Sequence, residues 1–209
     1  YYHDLVNKIE QNPPSILALS NYPWNCNLSL SLFRYVKSIN RNILTVMGGP
    51  NMSNSSIEQR KFIYKNKDIL DYYIMFEGEQ PFKDLYENFL DCELNINKIK
   101  QRYIPGVIQY SRSGFKDYVK LERRKNLDEI PSPYINGLFD KFFDNKLTPM
   151  IETHRGCPYQ CTFCHEGNKY YTKINKYSDQ RVIDELVYIA KKIGSRVGDL
   201  IIADPNFGL

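Results

Sequence analysis

The sequence predicts an α/β protein with two domains, and three observations carry this prediction. Short apolar runs that suit buried strands alternate with amphipathic runs that suit helices over residues 1–94. A connector punctuated by prolines follows at 128–133, and a second strand-and-helix pattern begins at 147. The length of 209 residues, 42% of them hydrophobic, is enough for one large or two small hydrophobic cores.

In the first part of the chain, the sequence predicts one helix followed by three strand–helix pairs. The predicted strands are 15–20, 42–47 and 71–76, and the predicted helices are 5–9, 28–39, 55–65 and 81–90. Pro13 and Pro14 end the first helix, because the residue before a proline is pushed away from helical backbone. This alternation predicts a parallel sheet with helices on its faces, which is a Rossmann-like, flavodoxin-like arrangement.

Candidate binding residues lie in the loops that follow these three strands. Ligands on such sheets bind beyond the carboxyl ends of the strands, and glycine lets backbone approach a ligand closely. The same glycines would also serve as simple turn formers, and both interpretations stay open. The candidates are Ser20, Gly48, Gly49, Pro50, Gly78 and Glu79.

Residues 95–146 are predicted to link the two domains. Two short strands at 106–110 and 118–121 would form a hairpin around a turn at 111–116. The aromatic residues at 137–145 are more typical of packing than of binding. The predicted boundaries are therefore 1–94, 95–146 and 147–209.

The second domain is predicted to open with a strand at 147–153. A helix follows at 177–194, with Ser178 as a candidate N-cap and Gly194 at its end. A second buried strand is predicted at 200–203, so that Asp204 lies at its carboxyl end.

Three cysteines stand between the first strand and the helix. Cys157, Cys161 and Cys164 are spaced so that one loop can turn three thiolates toward one point. Thiolates are soft ligands suited to iron, and three of them would hold three irons of a [4Fe–4S] cluster. Cys26 and Cys92 are remote in sequence, which predicts an open fourth iron for a small molecule. A zinc site is the alternative, with His154 or His165 as the fourth ligand, whereas a disulfide would leave one cysteine over.

This C-x3-C-x2-C loop, with Phe163 before its third cysteine, resembles the signature of the radical S-adenosylmethionine (SAM) enzymes. The flanking run from Asp128 through P-M-I-E-T-H-R-G-C-P resembles the subgroup with an N-terminal cobalamin-binding domain, as do M-G-G-P-N and F-E-G-E-Q-P-F. The resemblance implies a [4Fe–4S] cluster on Cys157, Cys161 and Cys164, with SAM and cobalamin as further cofactors. It implies that the second domain is the start of a partial TIM-type β/α barrel, truncated in this chain.

The resemblance also implies roles for residues and a reaction. Phe163 and Asp204 would bind SAM, Asp204 by holding the amino group of its methionyl part, and the six strand-end residues named above would bind cobalamin. For Asp204, capping of its own loop is the alternative. Reductive cleavage of SAM would give a 5′-deoxyadenosyl radical, used for cobalamin-dependent methyl transfer or related radical chemistry. The expected partners are a small-molecule substrate and an electron donor such as flavodoxin or ferredoxin.

Two departures from the family pattern keep alternatives open. The first is the absence of the D-x-H-x-x-G motif that supplies a lower cobalt ligand in the family, since His3 lacks the aspartate and glycine neighbours of that motif. The second is the absence of the family's usual Gly-Gly-Glu at the end of the second barrel strand, where this sequence has Asp204. The rivals are a cobalamin-independent radical SAM enzyme and a non-catalytic zinc- or cluster-binding module. A methylthiotransferase would need three more cysteines in the N-terminal part, so it is disfavoured.

Composition argues against other partners and locations. The net charge of +4 is too small to indicate nucleic-acid binding. The absence of an apolar run of about 20 residues argues against a membrane protein, and the absence of a signal peptide predicts a cytoplasmic location. Both ends look cut, so this segment is expected to be incomplete as an enzyme.

Overall fold

The computed structural model describes residues 2–111, 114–116, 119–194 and 198–208. They form two compact units, Tyr1–Glu122 and Arg123–Leu209. The division falls inside the segment predicted as a linker, because the first part of that segment adds strands to the sheet of unit 1. The mixed α/β architecture confirms the predicted fold class.

Unit 1 is built on a five-stranded sheet whose strand order is the order of the chain, β1-β2-β3-β4-β5. β1, β2 and β3 are parallel, and β4 and β5 continue the sheet in antiparallel fashion. The strands are β1 (Ile16–Ser20), β2 (Leu44–Gly48), β3 (Tyr72–Ile74), β4 (Val107–Ser111) and β5 (Gly114–Lys116).

Helices cover both faces of this sheet. The helices are α1 (Tyr2–Gln11), α2 (Cys26–Ile39), α3 (Ser56–Asn66), α4 (Glu79–Asp91) and α5 (Ile96–Ile99). Alternate residues of a strand point to opposite faces. Val46 of β2 therefore packs in one core with Leu85 of α4, while its neighbour Met47 packs in another with Phe33 of α2 and Ile63 of α3. The predicted parallel sheet with helices on its faces is confirmed.

The hairpin differs from its prediction in the second strand. β5 already begins at Gly114, whose φ of +102° suits glycine, whereas a strand was predicted at 118–121. Residues 119–121 are not in a strand, and position 118 lies outside the described residues. β4 pairs with β3, so this region extends the sheet.

A buried carboxylate ties together the end of unit 1 at which the parallel strands begin. Asp71, just before β3, is 2% exposed and lies 2.5 Å from the ammonium nitrogens of both Lys37 and Lys100. It also accepts a hydrogen bond from the backbone N–H of Thr45, at 2.9 Å. Burial by itself would raise the pKa of Asp71, but the two ammonium groups outweigh it and hold that pKa below its ordinary value.

Unit 2 contains a β-α-β crossover. Its elements are β6 (Met150–Ile151), β7 (His154–Arg155), β8 (Asn175–Lys176), α6 (Asp179–Ile193) and β9 (Ile201–Ile202). β6 and β9 are parallel neighbours, and Ile189 of α6 packs in one core with Ile151 of β6 and Tyr134. A parallel strand pair joined by a helix is how a β/α barrel begins.

Helix α6 has the ends that the sequence predicts. The side chain of Ser178 accepts a hydrogen bond from the backbone N–H of Arg181 at 3.2 Å, and Gly194 follows the helix with φ +66°. The strands β6 and β9 are shorter than predicted. They pair at two positions, Met150 with Ile201 and Ile151 with Ile202. Over the described ranges, no helix is both long and apolar enough to cross a membrane.

Candidate functional site

The carboxyl ends of the parallel strands bring most of the predicted cobalamin-binding residues of unit 1 together. Ser20 is in register with Gly48, and Gly48 with Ile74 on the next strand. A Cβ atom built onto Gly78 would lie 3.7 Å from the side chain of Ile74, so this glycine belongs to the same edge. Glu79 is exposed at the first position of α4.

A buried hydrogen-bond network joins the loops after β1 and β2. The amide of Asn21 donates to the Tyr73 hydroxyl at 3.0 Å, and that hydroxyl donates to the carbonyl of Gly49 at 2.8 Å. The amide of Asn51 donates to the side-chain oxygen of Asn21 at 3.1 Å. Sequence patterns did not indicate this network, because Tyr73 reads as an ordinary apolar position of a strand.

Gly49 is required where the two loops touch. Its φ is +126°, and a Cβ atom built there would lie 2.7 Å from the carbonyl oxygen of Asn21. Pro50 follows directly and is half-buried. The hydroxyl of Ser20 accepts a hydrogen bond from the Asn25 amide at 2.7 Å, so this side chain holds its own loop.

An exposed aromatic pair lies in the same loop. Tyr22 and Trp24 stack with ring centroids 4.7 Å apart, and Trp24 is 79% exposed. Large aromatic side chains normally bury most of their surface, so an exposed one beside a candidate ligand edge is informative. Trp24 lies between the strand predicted at 15–20 and the helix predicted at 28–39, and its position gave no sign of a binding role.

The cysteine loop of unit 2 is closed at its base by a short ladder. His154 and Arg155 of β7 pair with Lys176 and Asn175 of β8 in antiparallel register. Inside this closure, the backbone N–H of Cys157 donates to the carbonyl of Tyr171 at 2.9 Å. The two ends of the cysteine loop therefore lie side by side in this ladder, directly after β6.

Two glycines let the loop pack this tightly. A Cβ atom built onto Gly156, whose φ is +102°, would lie 2.6 Å from the carbonyl oxygen of Tyr171 and closer still to that of Lys173. One built onto Gly167 would overlap the backbone carbonyl of Cys161. Both glycines are present because backbone of the same loop occupies the space of a side chain.

The three cysteines fit an iron–sulfur cluster in donor type and accessibility. All three are free thiols; Cys157 is half-buried, and Cys161 and Cys164 are exposed. Phe163 between them is 91% exposed. Among the residues that the structure describes, no three metal-ligating side chains converge into a metal-binding group. The cluster ligation by these thiols and the contact of Phe163 with SAM therefore stay predictions.

Asp204 lies where the sequence placed it, after β9, and its carboxylate contacts the end of β6. It accepts hydrogen bonds from the backbone N–H groups of Thr153, at 2.7 Å, and His154, at 3.3 Å, and from the Thr153 hydroxyl. Its second oxygen lies 3.3 Å from Nδ1 of the His154 imidazole. Asp204 thereby joins the neighbouring strands β6 and β9 just before the cysteine loop, a contact of residues 50 apart in sequence.

The return segment of the loop has further supports. The guanidinium of Arg123 donates to the carbonyl of Lys173 and packs over the ring of Tyr170, at 5.6 Å from its centroid. Nε2 of His165 lies 3.3 Å from the Tyr171 hydroxyl, and burial lowers the pKa of His165. Arg123 is a support that sequence analysis missed, since it lies in the predicted linker.

Comparison with known proteins extends the sequence resemblance to nearly the whole chain. The chain is 31% identical over 204 residues to the cobalamin-dependent radical SAM methyltransferase TokK of Streptomyces tokunonensis. It is 28% identical over 202 residues to the 2-(S-pantetheinyl)-carbapenam-3-carboxylate methyltransferase of Streptantibioticus cattleyicolor. Each match covers 94% of this chain but 28% of the relative, so the chain spans just over a quarter of their length. No family model matches.

The fold agrees with that of a solved protein structure. The structure of the radical SAM methyltransferase TsrM from Kitasatospora setae, with tryptophan substrate and a SAM analog bound, superposes with a TM-score of 0.59. The superposition covers all of this chain and 40% of the TsrM chain, and the two sequences are 16% identical. A second TsrM structure, with cobalamin and a [4Fe–4S] cluster bound, gives 0.58. Over nearly its whole length, the chain is therefore homologous to a segment of the cobalamin-dependent radical SAM methyltransferases, as its cysteine spacing and flanking motifs predicted.

Proposed function

We propose that the protein containing this chain is a cobalamin-dependent radical SAM methyltransferase acting on a small molecule. The observation that carries the proposal is the cysteine loop. Three free thiols in C-x3-C-x2-C spacing follow the first strand of a β-α-β crossover, where β/α barrels hold their active-site groups. The relatives of known activity support the methyl-transfer chemistry.

In unit 2, the thiolates of Cys157, Cys161 and Cys164 would hold three irons of a [4Fe–4S] cluster. When bound, this group supplies the single electron for reductive cleavage of SAM to methionine and a 5′-deoxyadenosyl radical. The chain's own residues position the ligands. Gly156 lets the loop turn against the carbonyl of Tyr171, and the ladder of β7 with β8 closes its base. An electron donor such as flavodoxin or ferredoxin is part of the proposal.

In unit 1, the edge at the carboxyl ends of β1, β2 and β3 would bind cobalamin. Gly48 and Gly78 place no side chain beyond Cα at this edge, Gly49 lets the loops after β1 and β2 touch, and the buried Asn21–Tyr73 network fixes these loops before a ligand arrives. A preorganised edge loses less conformational entropy on binding. The stacked Tyr22 and Trp24 add an apolar surface for a flat macrocycle.

The cysteine loop gives the direct test of the cluster. Anaerobic reconstitution of the full-length protein should load about four iron and four sulfide at this loop. Cys161→Ala should abolish loading, because two thiolates do not retain such a cluster, while Cys26→Ala should load normally. Iron and sulfide analysis measures both. Stoichiometric zinc without iron would favour the zinc module instead.

Trp24 gives a test of the cobalamin edge. Trp24→Ala should weaken retention of hydroxocobalamin roughly two- to twelvefold, because stacking on an aromatic ring contributes about 0.5–1.5 kcal/mol. Equilibrium dialysis of the folded full-length protein measures this dissociation constant. Tyr86→Ala removes an exposed aromatic side chain from α4 and is the matched control. If both variants retain cobalamin like the parent, Trp24 is not part of the site; if the parent retains none, the cobalamin-independent alternative holds.

A further inference from the structure

A buried imidazole and a buried carboxylate meet immediately before the cysteine loop. The side chains of His154 and Asp204 are 2% and 0% exposed, and Nδ1 of His154 lies 3.3 Å from the Asp204 carboxylate. The same carboxylate accepts hydrogen bonds from the backbone and hydroxyl of Thr153. Both oxygens of Asp204 are thus engaged by the chain, so Asp204 is poorly suited to bind an external group itself.

The surroundings of the imidazole fix which nitrogen carries the proton. An ionised carboxylate only accepts hydrogen bonds, so the nitrogen facing Asp204 is protonated. The Thr153 hydroxyl donates to Asp204, and its oxygen, 3.4 Å from Nδ1, also favours a proton there. Nε2 of a neutral His154 is therefore an acceptor, as in sites where a carboxylate orients a histidine toward its ligand.

This acceptor is unsatisfied. Nε2 of His154 is buried and has no hydrogen-bond partner within the described part of the chain. Buried polar atoms are nearly always paired, and an exception in a structure without ligands indicates a missing water or ligand atom. For the neutral imidazole, the missing group is a hydrogen-bond donor that lies at the strand end leading into the loop.

We infer that Nε2 of His154 accepts a hydrogen bond from the amino group of SAM, and that Asp204 is a positioning residue that holds the imidazole for it. The inference rests on the proposed function, which supplies a ligand with an amino group beside the cysteine loop. The family resemblance implied that Asp204 contacts this amino group. The inference assigns that contact to His154, whose imidazole Asp204 orients. Thr153 completes the arrangement by fixing the carboxylate.

Two substitutions of His154 separate the two ring nitrogens. The amide nitrogen of asparagine can replace Nδ1–H toward Asp204 but leaves nothing at the position of Nε2. The longer glutamine side chain can place an oxygen acceptor near that position. In the reconstituted full-length protein, His154→Gln should keep SAM binding near that of the parent. His154→Asn should weaken it about tenfold or more, the effect of losing one hydrogen bond to a strongly polar group.

The readouts are iron per chain and the electron paramagnetic resonance spectrum of the reduced cluster as SAM is added. Both His154 variants should load iron like the parent, with the spectral change of His154→Asn shifted to higher SAM concentration. Thr153→Val should shift it in the same direction and Thr153→Ser should not, which keeps the test decisive if a His154 variant fails to fold. Equal SAM titrations for Thr153→Val and Thr153→Ser, or for His154→Asn and His154→Gln, would overturn the inference and assign the missing group to a buried water. Failure of the parent to load iron would instead contradict the proposed function.

Discussion

Replacing Asp71 by asparagine is expected to lower the free energy of unfolding of unit 1 by about 3–5 kcal/mol, the usual cost of removing one partner of a buried ion pair. The carboxylate is almost fully buried and lies 2.5 Å from the ammonium nitrogens of Lys37 and Lys100. Asparagine keeps the shape but not the charge. The buried Lys37 ammonium would then have only neutral acceptors, namely the backbone carbonyls of Ile43 and Arg41 and the asparagine side-chain oxygen.

This cost should depend on pH in a fixed direction. The pKa of Asp71 is lowered in the folded state, so its contribution is present in full above the ordinary carboxyl pKa of about 3.9 and is lost as pH falls through the lower folded value. Denaturant unfolding of the parent and of Asp71→Asn should thus differ at neutral pH and converge in strong acid. Asp91→Asn, which removes an exposed partner of Arg102, should cost less than about 1 kcal/mol. A pH-independent difference, or equal costs for the two variants, would contradict this account.

Replacing Gly156 by alanine is expected to disrupt the cysteine loop without removing any thiol. The new methyl group would stand 2.6 Å from the carbonyl oxygen of Tyr171, at a φ of +102° that alanine rarely adopts. The Tyr171 carbonyl accepts the hydrogen bond from Cys157, so the atom that must move is one that fixes the first cysteine. Iron loading after reconstitution should fall severalfold.

Gly114→Ala is a matched control for this substitution. Gly114 has the same φ of +102°, but no atom of the residues that the structure describes lies within 4 Å of a Cβ atom built there. Alanine should cost about 1–2 kcal/mol of stability there through backbone strain, and iron loading should stay normal. Iron per chain and the unfolding midpoint should be compared between the two variants. The comparison separates the effect of backbone strain at positive φ from the effect of steric overlap between the new methyl group and the loop backbone. Normal iron loading in Gly156→Ala would show that the close approach at this glycine does not shape the loop.

The sequence predicts those parts of the molecule that follow from neighbouring residues. The three parallel strands, helix α6 and its Ser178 cap are set by hydrophobic period and capping chemistry, and the structure confirms them. The alternation of strands and helices was also enough to bring the candidate residues of unit 1 to one edge, since the parallel strands β1, β2 and β3 end on the same side.

Contacts between distant residues could not be predicted in this way. Asn21 and Tyr73 are 52 positions apart, and Thr153 and Asp204 are 51 apart. No periodicity connects such residues, because their meeting depends on how strands pair. The hairpin shows the same limit, since a polar, aromatic-rich stretch gave no sign that β4 would pair with β3.

The sheet of unit 1 also has a consequence for how the chain folds. Because spatial order equals chain order, each strand from β2 to β5 pairs with the strand made just before it. Every pairing then closes a loop of modest length. Closing a shorter loop costs less conformational entropy, so such strand pairs form faster. A chain emerging from the ribosome can therefore add one strand at a time to a sheet already formed, with its apolar edge exposed only until the next strand arrives. Asp71 would bind Lys37 early in that sequence and Lys100 late, so the second ammonium joins the charge cluster only as α5 forms.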